Sequence, residues 1–291
     1  MATLAYLNGT FCPIDQAKVS IQDRGFQFGD SIYEVVVTYD GRPFLLDEHM
    51  QRMGRSASHI GLTYDFDKHP LEPIIAEGLR RCGFADAVAY IQITRGVAPR
   101  SHAVPDPPVD PTVVMTFTPR PTVSPEDREH GVSVMTIRDD RWARCSIKAV
   151  TLLPNVLAKT EAVRRGYYDA IFVSAGGEVR EATSANVFVV RDGHIAMPPR
   201  NEAVLHGITQ GFIMHCAEAI DIKIQERVIR PEDLKNADEV FLSNTMVEVM
   251  PVTRIDDHPI GSAKVGPVTK RICKEFLRRA REPIAQTTHP H

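Results

Sequence analysis

The chain has 291 residues, of which 43% are hydrophobic and 24% charged, and a formal charge of −3. That length exceeds one ordinary domain and suits two. The small net charge gives no electrostatic reason for a nucleic-acid or anionic-membrane partner, and no apolar run approaches the roughly 20 residues that span a bilayer. The opening MATLAYLNGTF lacks a basic stretch followed by an apolar one, so the expectation is a cytoplasmic chain. Five cysteines, an odd number with no CxxC, argue against a disulfide framework or a zinc site. No metal is expected, and Cys145 reads as a packing residue.

Taken in chain order, Thr3 to Leu7 read as a strand entering a turn at Asn8-Gly9. Ile32 to Tyr39 is rich in β-branched and aromatic residues and reads as a strand ended by Asp40-Gly41. Leu46 to Ile60 carries Met50, Met53, Ala57 and Ile60 at helical spacing, with Asp47 as N-cap and Gly61 as stop. Leu71 to Arg81 predicts a second helix. Ala87 to Thr94 and Thr112 to Thr118 predict strands, joined by a loop through Pro105 to Pro111. Residues 1–119 therefore predict an N-terminal α+β domain. The proline- and charge-rich stretch after Pro119 predicts an interdomain linker over 120–130.

A second α+β domain is expected over 131–282. Val132 to Ile137 predicts a strand, and Leu152 to Arg165 a helix stopped by Gly166. Tyr168 to Ser174, Glu178 to Arg180 and Asn186 to Arg191 alternate with glycine turns and suggest a β meander. Ile208 to Ile220 predicts a helix, Glu239 to Ser243 a short strand, and Val265 to Arg281 a closing helix. A frayed tail is expected over 283–291. Patterns for a Rossmann fingerprint, a P-loop, HExxH or GxSxG are absent.

Four segments could carry chemistry. Lys148 lies among Trp142, Cys145, Ile147 and Val150, between a strand and a helix. An amine drawn partly out of water is nucleophilic toward aldehydes, as Schiff-base chemistry requires. Lys159, on a helix beside Thr160 and Glu161, reads instead as an exposed lysine. Glu181 is either a solvated turn residue or a carboxylate for a ring nitrogen. In Leu205-His206-Gly207-Ile208-Thr209, a glycine before a helix start can point successive N–H groups at a phosphate. Ser243-Asn244-Thr245 offers hydroxyls after a strand. In Arg100-Ser101-His102, alternate residues of an extended loop share one side and could grip a carboxylate.

Together these segments resemble the fold-type IV pyridoxal 5′-phosphate (PLP) enzymes, and within them most resemble the bacterial D-amino-acid aminotransferases. The likeness runs from about Tyr6 to Arg281. It is carried by Asp23-Arg24-Gly25-Phe26-Gln27-Phe28-Gly29-Asp30, Tyr33-Glu34-Val35-Val36 and Glu48 to Met53, then Ala98 to His102 and Arg141 through Lys148. Leu157 to Ala162, Glu181 to Phe188, Gly207-Ile208-Thr209 and Val249 to Val252 complete it. Departures from the pattern stand at Ser31, Ala182, Ala185 and Asn244.

The resemblance implies two α+β domains with the cofactor in the cleft between them. It implies that Lys148 is the Schiff-base lysine and proton carrier, Glu181 the partner of the pyridine nitrogen, and Arg52 a phosphate-binding arginine. Ile208, Thr209 and Thr245 are implied as further phosphate contacts, and Leu205 as an apolar residue against the ring. Tyr33, Arg100 and His102 are implied as the trap for the substrate α-carboxylate, with the Arg100/His102 loop serving the neighbouring subunit of a homodimer. The substrates implied are a D-amino acid, such as D-alanine or D-glutamate, and a 2-oxo acid. The alternatives are a branched-chain L-amino-acid aminotransferase, an (R)-amine transaminase, an aminodeoxychorismate lyase, or an idle PLP-binding protein of this fold.

Overall fold

The computed structural model describes residues 4–282. The tail from Pro283 and the expected strand residue Thr3 lie outside the described residues. Contacts divide the chain into two units. The first runs to Pro121 and includes Ile147–Leu152; the second holds Thr122–Ser146 and the chain from Leu153 onward.

The first unit contains strands β1 (Leu4–Leu7), β2 (Thr10–Pro13), β3 (Ser31–Tyr39), β4 (Arg42–Pro43), β5 (Ala87–Thr94) and β6 (Thr112–Pro119). Its helices are α1 (Arg24–Phe28), α2 (Leu46–His59) and α3 (Glu72–Cys82). Among the described residues the sheet order is β2-β1-β6-β5-β3-β4, antiparallel throughout. Ile32 and Val36 of β3 join Met53 and Ala57 of α2, Ile75 and Leu79 of α3, and Ile91, Met115 and Phe117 in one core. Gly78 lets α3 approach the sheet: a Cβ there would stand 2.1 Å from the Phe117 ring.

The second unit runs α4 (Pro125–His130), β7 (Val132–Arg138), α5 (Leu153–Arg164), β8 (Asp169–Val173), β9 (Val179–Ala182), β10 (Asn186–Arg191) and β11 (His194–Met197). It continues through α6 (Ile208–Ala219), β12 (Ile224–Glu226), α7 (Pro231–Lys235), β13 (Glu239–Asn244), β14 (Glu248–Ile255), β15 (His258–Pro259) and α8 (Pro267–Arg281). The strand order is β12-β11-β10-β13-β14-β7-β8-β9, with β15 on β14. β14, β7 and β8 run parallel to one another. α5 lies in the crossover between the parallel neighbours β7 and β8, as parallel pairing demands. Phe188 and Phe241 stack at 4.7 Å between centroids on the paired strands β10 and β13.

Several expectations are corrected. Helix α2 is capped at Leu45, in a left-handed conformation with φ 53°, so Asp47 sits inside its first turn. The expected linker over 120–130 carries helix α4, capped by Ser124 accepting from the Asp127 N–H at 3.2 Å, with proline in its first turn. The segment holding Lys148 belongs to the first unit rather than the second. The reason is backbone pairing: Tyr33 N–H donates to Lys148 O at 3.0 Å and Val150 N–H to Ser31 O at 3.2 Å. The three strands read as a meander part company as well. β9 pairs with β8, but β10 pairs with β13 and β11.

Candidate active site

In the first unit, β3 sends alternate residues to opposite faces. Glu34 falls on the core face with Ile32 and Val36, where a lone charge would be untenable. Arg52 of α2 answers it, with Nε donating to Oε1 at 2.7 Å and Nη2 to Oε2 at 2.8 Å. His49, three residues earlier on the helix, donates from Nδ1 to Oε2 at 2.7 Å. Burial pushes the Glu34 carboxyl up, but the Arg52 charge and hydrogen bond, then His49, outweigh it and hold it far below the ordinary carboxylate range. Burial pushes His49 down against the pull of Glu34, so the ring is neutral. The family likeness points to Arg52 without the anchoring roles of Glu34 and His49. An acid among the apolar core-face residues of a strand is the signal that finds them.

On the other face of β3, Tyr33 stacks on Tyr90 at 5.7 Å. Burial, with Tyr33 close by, pushes the Tyr90 hydroxyl up to about 12. Lys148 Nζ lies 4.1 Å from the centre of the Tyr33 ring, a cation–π contact. The Lys148 backbone N–H donates to Ser56 Oγ at 3.2 Å, so the lysine is fixed to both β3 and α2. Among the described residues no acid pairs with its amine.

The Arg100-Ser101-His102 loop is exposed. Arg100 lies 5.1 Å from the centre of the Phe28 ring, and the His102 ring meets the same phenyl edge-on at 5.6 Å. The two donors therefore share one side, as their spacing predicts. Neither has an acid partner among the described residues.

The second unit gathers another set. Glu181 on β9 accepts from Arg141 Nη1 at 2.5 Å, from the Leu205 N–H at 3.0 Å and from Asn186 Nδ2 at 3.4 Å. Arg141 also forks onto Asp139, with two bonds of 2.9 Å, and lies 4.3 Å over the Phe172 ring. Burial works against the Arg141 charge, yet Asp139 and Glu181 outweigh it and raise its pKa. Asn186 Nδ2 also donates to Leu205 O at 2.9 Å. Its Oδ1 lies where a Cβ on Gly207 would fall, 2.1 Å away. Gly207 is the N-cap of α6, and no side chain caps that helix, which leaves its first N–H groups for an anion. Ile208 and the buried Thr209 form its first turn.

Thr245 reaches the same sheet end by register. Asn186 pairs with Ser243, and the turn after Ser243 carries Thr245. Asn244 holds that turn: its Oδ1 accepts from the Met246 and Val247 N–H groups at 2.8 and 2.9 Å, and its Nδ2 donates to Ser184 O at 3.0 Å. The amide at this departure from the family pattern thus clamps the turn.

Two other residues have defined surroundings. Lys159 is not merely exposed: its amine donates to Tyr168 O and lies over the Tyr168 ring at 4.6 Å. Cys145 is half-buried, and burial pushes its thiol up to about 11, as befits a packing residue. Among the described residues no cluster of three or more His, Cys, Asp or Glu could hold a metal, and no helix is long and apolar enough to cross a membrane.

PLP offers an aldehyde to an amine, a ring nitrogen to a carboxylate and a phosphate to N–H and hydroxyl donors. Lys148, the paired Glu181 and the uncapped α6 start with Thr209 fit those demands in kind. Such a fold with such groups defines the PLP-dependent aminotransferases of fold type IV as a class. The chain belongs to the amino-transferase class IV family, whose model matches residues 31–255. It is 43% identical over 274 residues to the D-alanine aminotransferase of Staphylococcus haemolyticus, covering 94% of this chain and 96% of that one. It is 38% identical over 266 residues to the D-alanine aminotransferase of Bacillus licheniformis, covering 91% and 93%. Among solved structures, the branched-chain amino acid aminotransferase of Escherichia coli superposes with a TM-score of 0.90 at 27% identity, covering 99% and 98%. A second branched-chain amino acid aminotransferase, from the source abbreviated T.th. and crystallised with pyridoxamine 5′-phosphate, gives 0.89 at 29% identity, covering 97% and 96%.

Proposed function

We propose that this enzyme moves the amino group of a D-amino acid, such as D-alanine or D-glutamate, to a 2-oxo acid by a ping-pong cycle. The observation that carries the reading is the pair Arg100 and His102, brought to one side of Phe28 with no acid to occupy them among the described residues. Two such donors suit a substrate carboxylate. The relatives named D-alanine aminotransferase are also nearer in sequence than the branched-chain enzymes that share the fold.

Lys148 is the residue that would hold PLP. Glu181 would face its ring nitrogen with Leu205 against the ring, and Arg52, Ile208, Thr209 and Thr245 would hold its phosphate. When bound, PLP supplies an electron sink that acidifies the substrate Cα–H. The chain's own part is proton transfer and orientation. Lys148 Nζ, free once the substrate amine has taken its place, accepts the Cα proton as general base. The Tyr33 face beside Nζ fixes the direction from which it acts. Arg100, His102 and Tyr33 hold the carboxylate and so choose which Cα face meets Lys148. Arg141 holds Glu181 in place. The working form in this reading is a homodimer in which the Arg100/His102 loop serves the neighbouring subunit, and size in solution tests it.

Rates with D-alanine, L-leucine and (R)-1-phenylethylamine test the substrate class. D-alanine is expected to be the best donor by at least about tenfold, a gap of ~1.4 kcal/mol in transition-state binding. Activity on L-leucine without activity on D-alanine overturns the reading. Loss of bound PLP absorbance and of activity in Lys148→Ala tests the lysine.

A further inference from the structure

We infer that Phe28 is a positioning residue: its ring is the platform that presets Arg100 and His102 for the substrate carboxylate. The inference rests on the carboxylate role given to those two residues above.

The platform is built from helix α1 and the stretch of chain after β5. Asp23 caps α1 through the Gly25 N–H at 2.8 Å and accepts from Thr94 Oγ1 at 3.0 Å. Arg24 N–H donates to Gly96 O at 2.9 Å, and Arg95 N–H donates to Asp30 O at 3.0 Å. α1 is thus stitched at both ends to the backbone that leads into the loop. The loop itself is caught by a side chain. Buried Arg24 donates from Nη1 to Ser101 O at 2.6 Å and to Ala103 O at 3.2 Å, while its Nε is held by Asp30 at 2.8 Å. Asp30 is in turn gripped by Arg95 Nε at 2.8 Å.

Phe28 stands four residues after Arg24, on the same side of the helix. Its ring carries the Arg24 guanidinium at 4.9 Å, the Arg100 guanidinium at 5.1 Å and the His102 ring at 5.6 Å. Arg24 therefore fixes the loop's backbone, and Phe28 fixes the two side chains that the backbone presents. A long arginine on an exposed loop otherwise samples many rotamers, and that freedom is lost when it grips a ligand. A ring that already holds the guanidinium removes most of that loss, which is preorganisation. It also leaves every N–H of Arg100 outward, because a cation–π contact engages the flat face and not the donors.

The test uses the PLP-loaded enzyme and the variants Phe28→Leu, Phe28→Met and Phe28→Tyr, alone and combined with Arg100→Ala. Phe28→Leu and Phe28→Met are expected to raise KM for D-alanine about tenfold, the size that two ring contacts supply. Their kcat should change less than about twofold and their PLP content not at all. Phe28→Tyr keeps a ring face and should stay within about twofold of the parent KM. In the Arg100→Ala background, Phe28→Leu should add almost nothing. Unchanged KM in Phe28→Leu and Phe28→Met overturns the platform, as does an equal further rise in the Arg100→Ala background. If Arg100→Ala itself leaves KM unchanged, the carboxylate reading falls and the platform with it. If Arg100→Ala raises KM while Phe28→Leu and Phe28→Met do not, only the platform falls.

Discussion

Glu34 and Arg52 form a two-pronged ion pair inside the first unit, Nε to Oε1 at 2.7 Å and Nη2 to Oε2 at 2.8 Å. The carboxylate is fully buried and the guanidinium is 5% exposed, so the pair lives in a low-dielectric setting. Its worth there comes less from net attraction than from the penalty of breaking it. Arg52, if it is to meet a phosphate, must be held at one angle, and Glu34 does the holding.

Glu34→Gln keeps the shape but replaces one acceptor with an amide NH2 that faces donors on Arg52 or His49. The expected loss is on the order of 3 kcal/mol of unfolding free energy, typical of a half-removed buried pair. Urea titration measures it, and PLP retention should fall in parallel. A variant within about 1 kcal/mol of the parent would show that the pair does not hold this core.

The same pair sets a pH dependence. His49 in the fold binds its proton less readily than the ordinary 6.5, because burial outweighs the pull of Glu34. Glu34 binds its proton less readily than the ordinary 4.5, because Arg52 and His49 outweigh burial. For both groups the unfolded chain takes a proton that the fold refuses, so stability drops as pH falls. The contribution is complete above pH 6.5. The His49 part is lost first, as pH falls below 6.5, and the Glu34 part follows below 4.5. His49→Gln should flatten the change in urea midpoint between about pH 7 and pH 5 relative to the parent. An identical slope in both proteins would count against this origin.

Local pattern is readable from the sequence; partners distant along the chain are not. The expected bounds of β5 match those observed because Ala87 to Thr94 combine β-rich composition with clear flanks. The family likeness marks Lys148, Glu181 and Arg52 by position. What it does not show is what holds them. Arg141 and Glu181 are 40 residues apart, and Arg128, in the stretch expected to be a linker, ion-pairs with Glu248 at 120 residues' separation. Chain order puts Lys148 in the wrong unit because its pairing with Tyr33 is a backbone event that no side-chain pattern reports. Phe28 sits in a helix of five residues, too short for a periodic signal.

Arg141 supports a prediction of the same kind in the second unit. It lies between Asp139 and Glu181, and its side chain is 5% exposed. Arg141→Met removes the cation from between two acids. The expected cost is about 3 kcal/mol in urea unfolding, with a marked fall in kcat. Adding Glu181→Gln should recover part of the stability but none of the activity, since the carboxylate is then gone. Equal stability of the single and double variants would mean that the acids do not depend on Arg141.

Gly207→Ala probes the start of α6. The glycine has φ −66° and ψ 133°, which alanine adopts without strain. Any effect must therefore come from the Cβ, which would stand 2.1 Å from Asn186 Oδ1. Asn186 cannot yield freely, because its Nδ2 is bonded to Leu205 O and Glu181. Swinging it away loosens the residues around Glu181 and shifts the first turn of α6 together. PLP affinity, read by absorbance titration of the apoprotein, should weaken about tenfold, or ~1.4 kcal/mol. The decisive comparison is Asn186→Ala alone against Asn186→Ala with Gly207→Ala. If the clash is the cause, the alanine at 207 adds little once Asn186 is truncated, because sites in contact are not additive. A full further loss of about tenfold in the double variant would place the cause elsewhere in the turn.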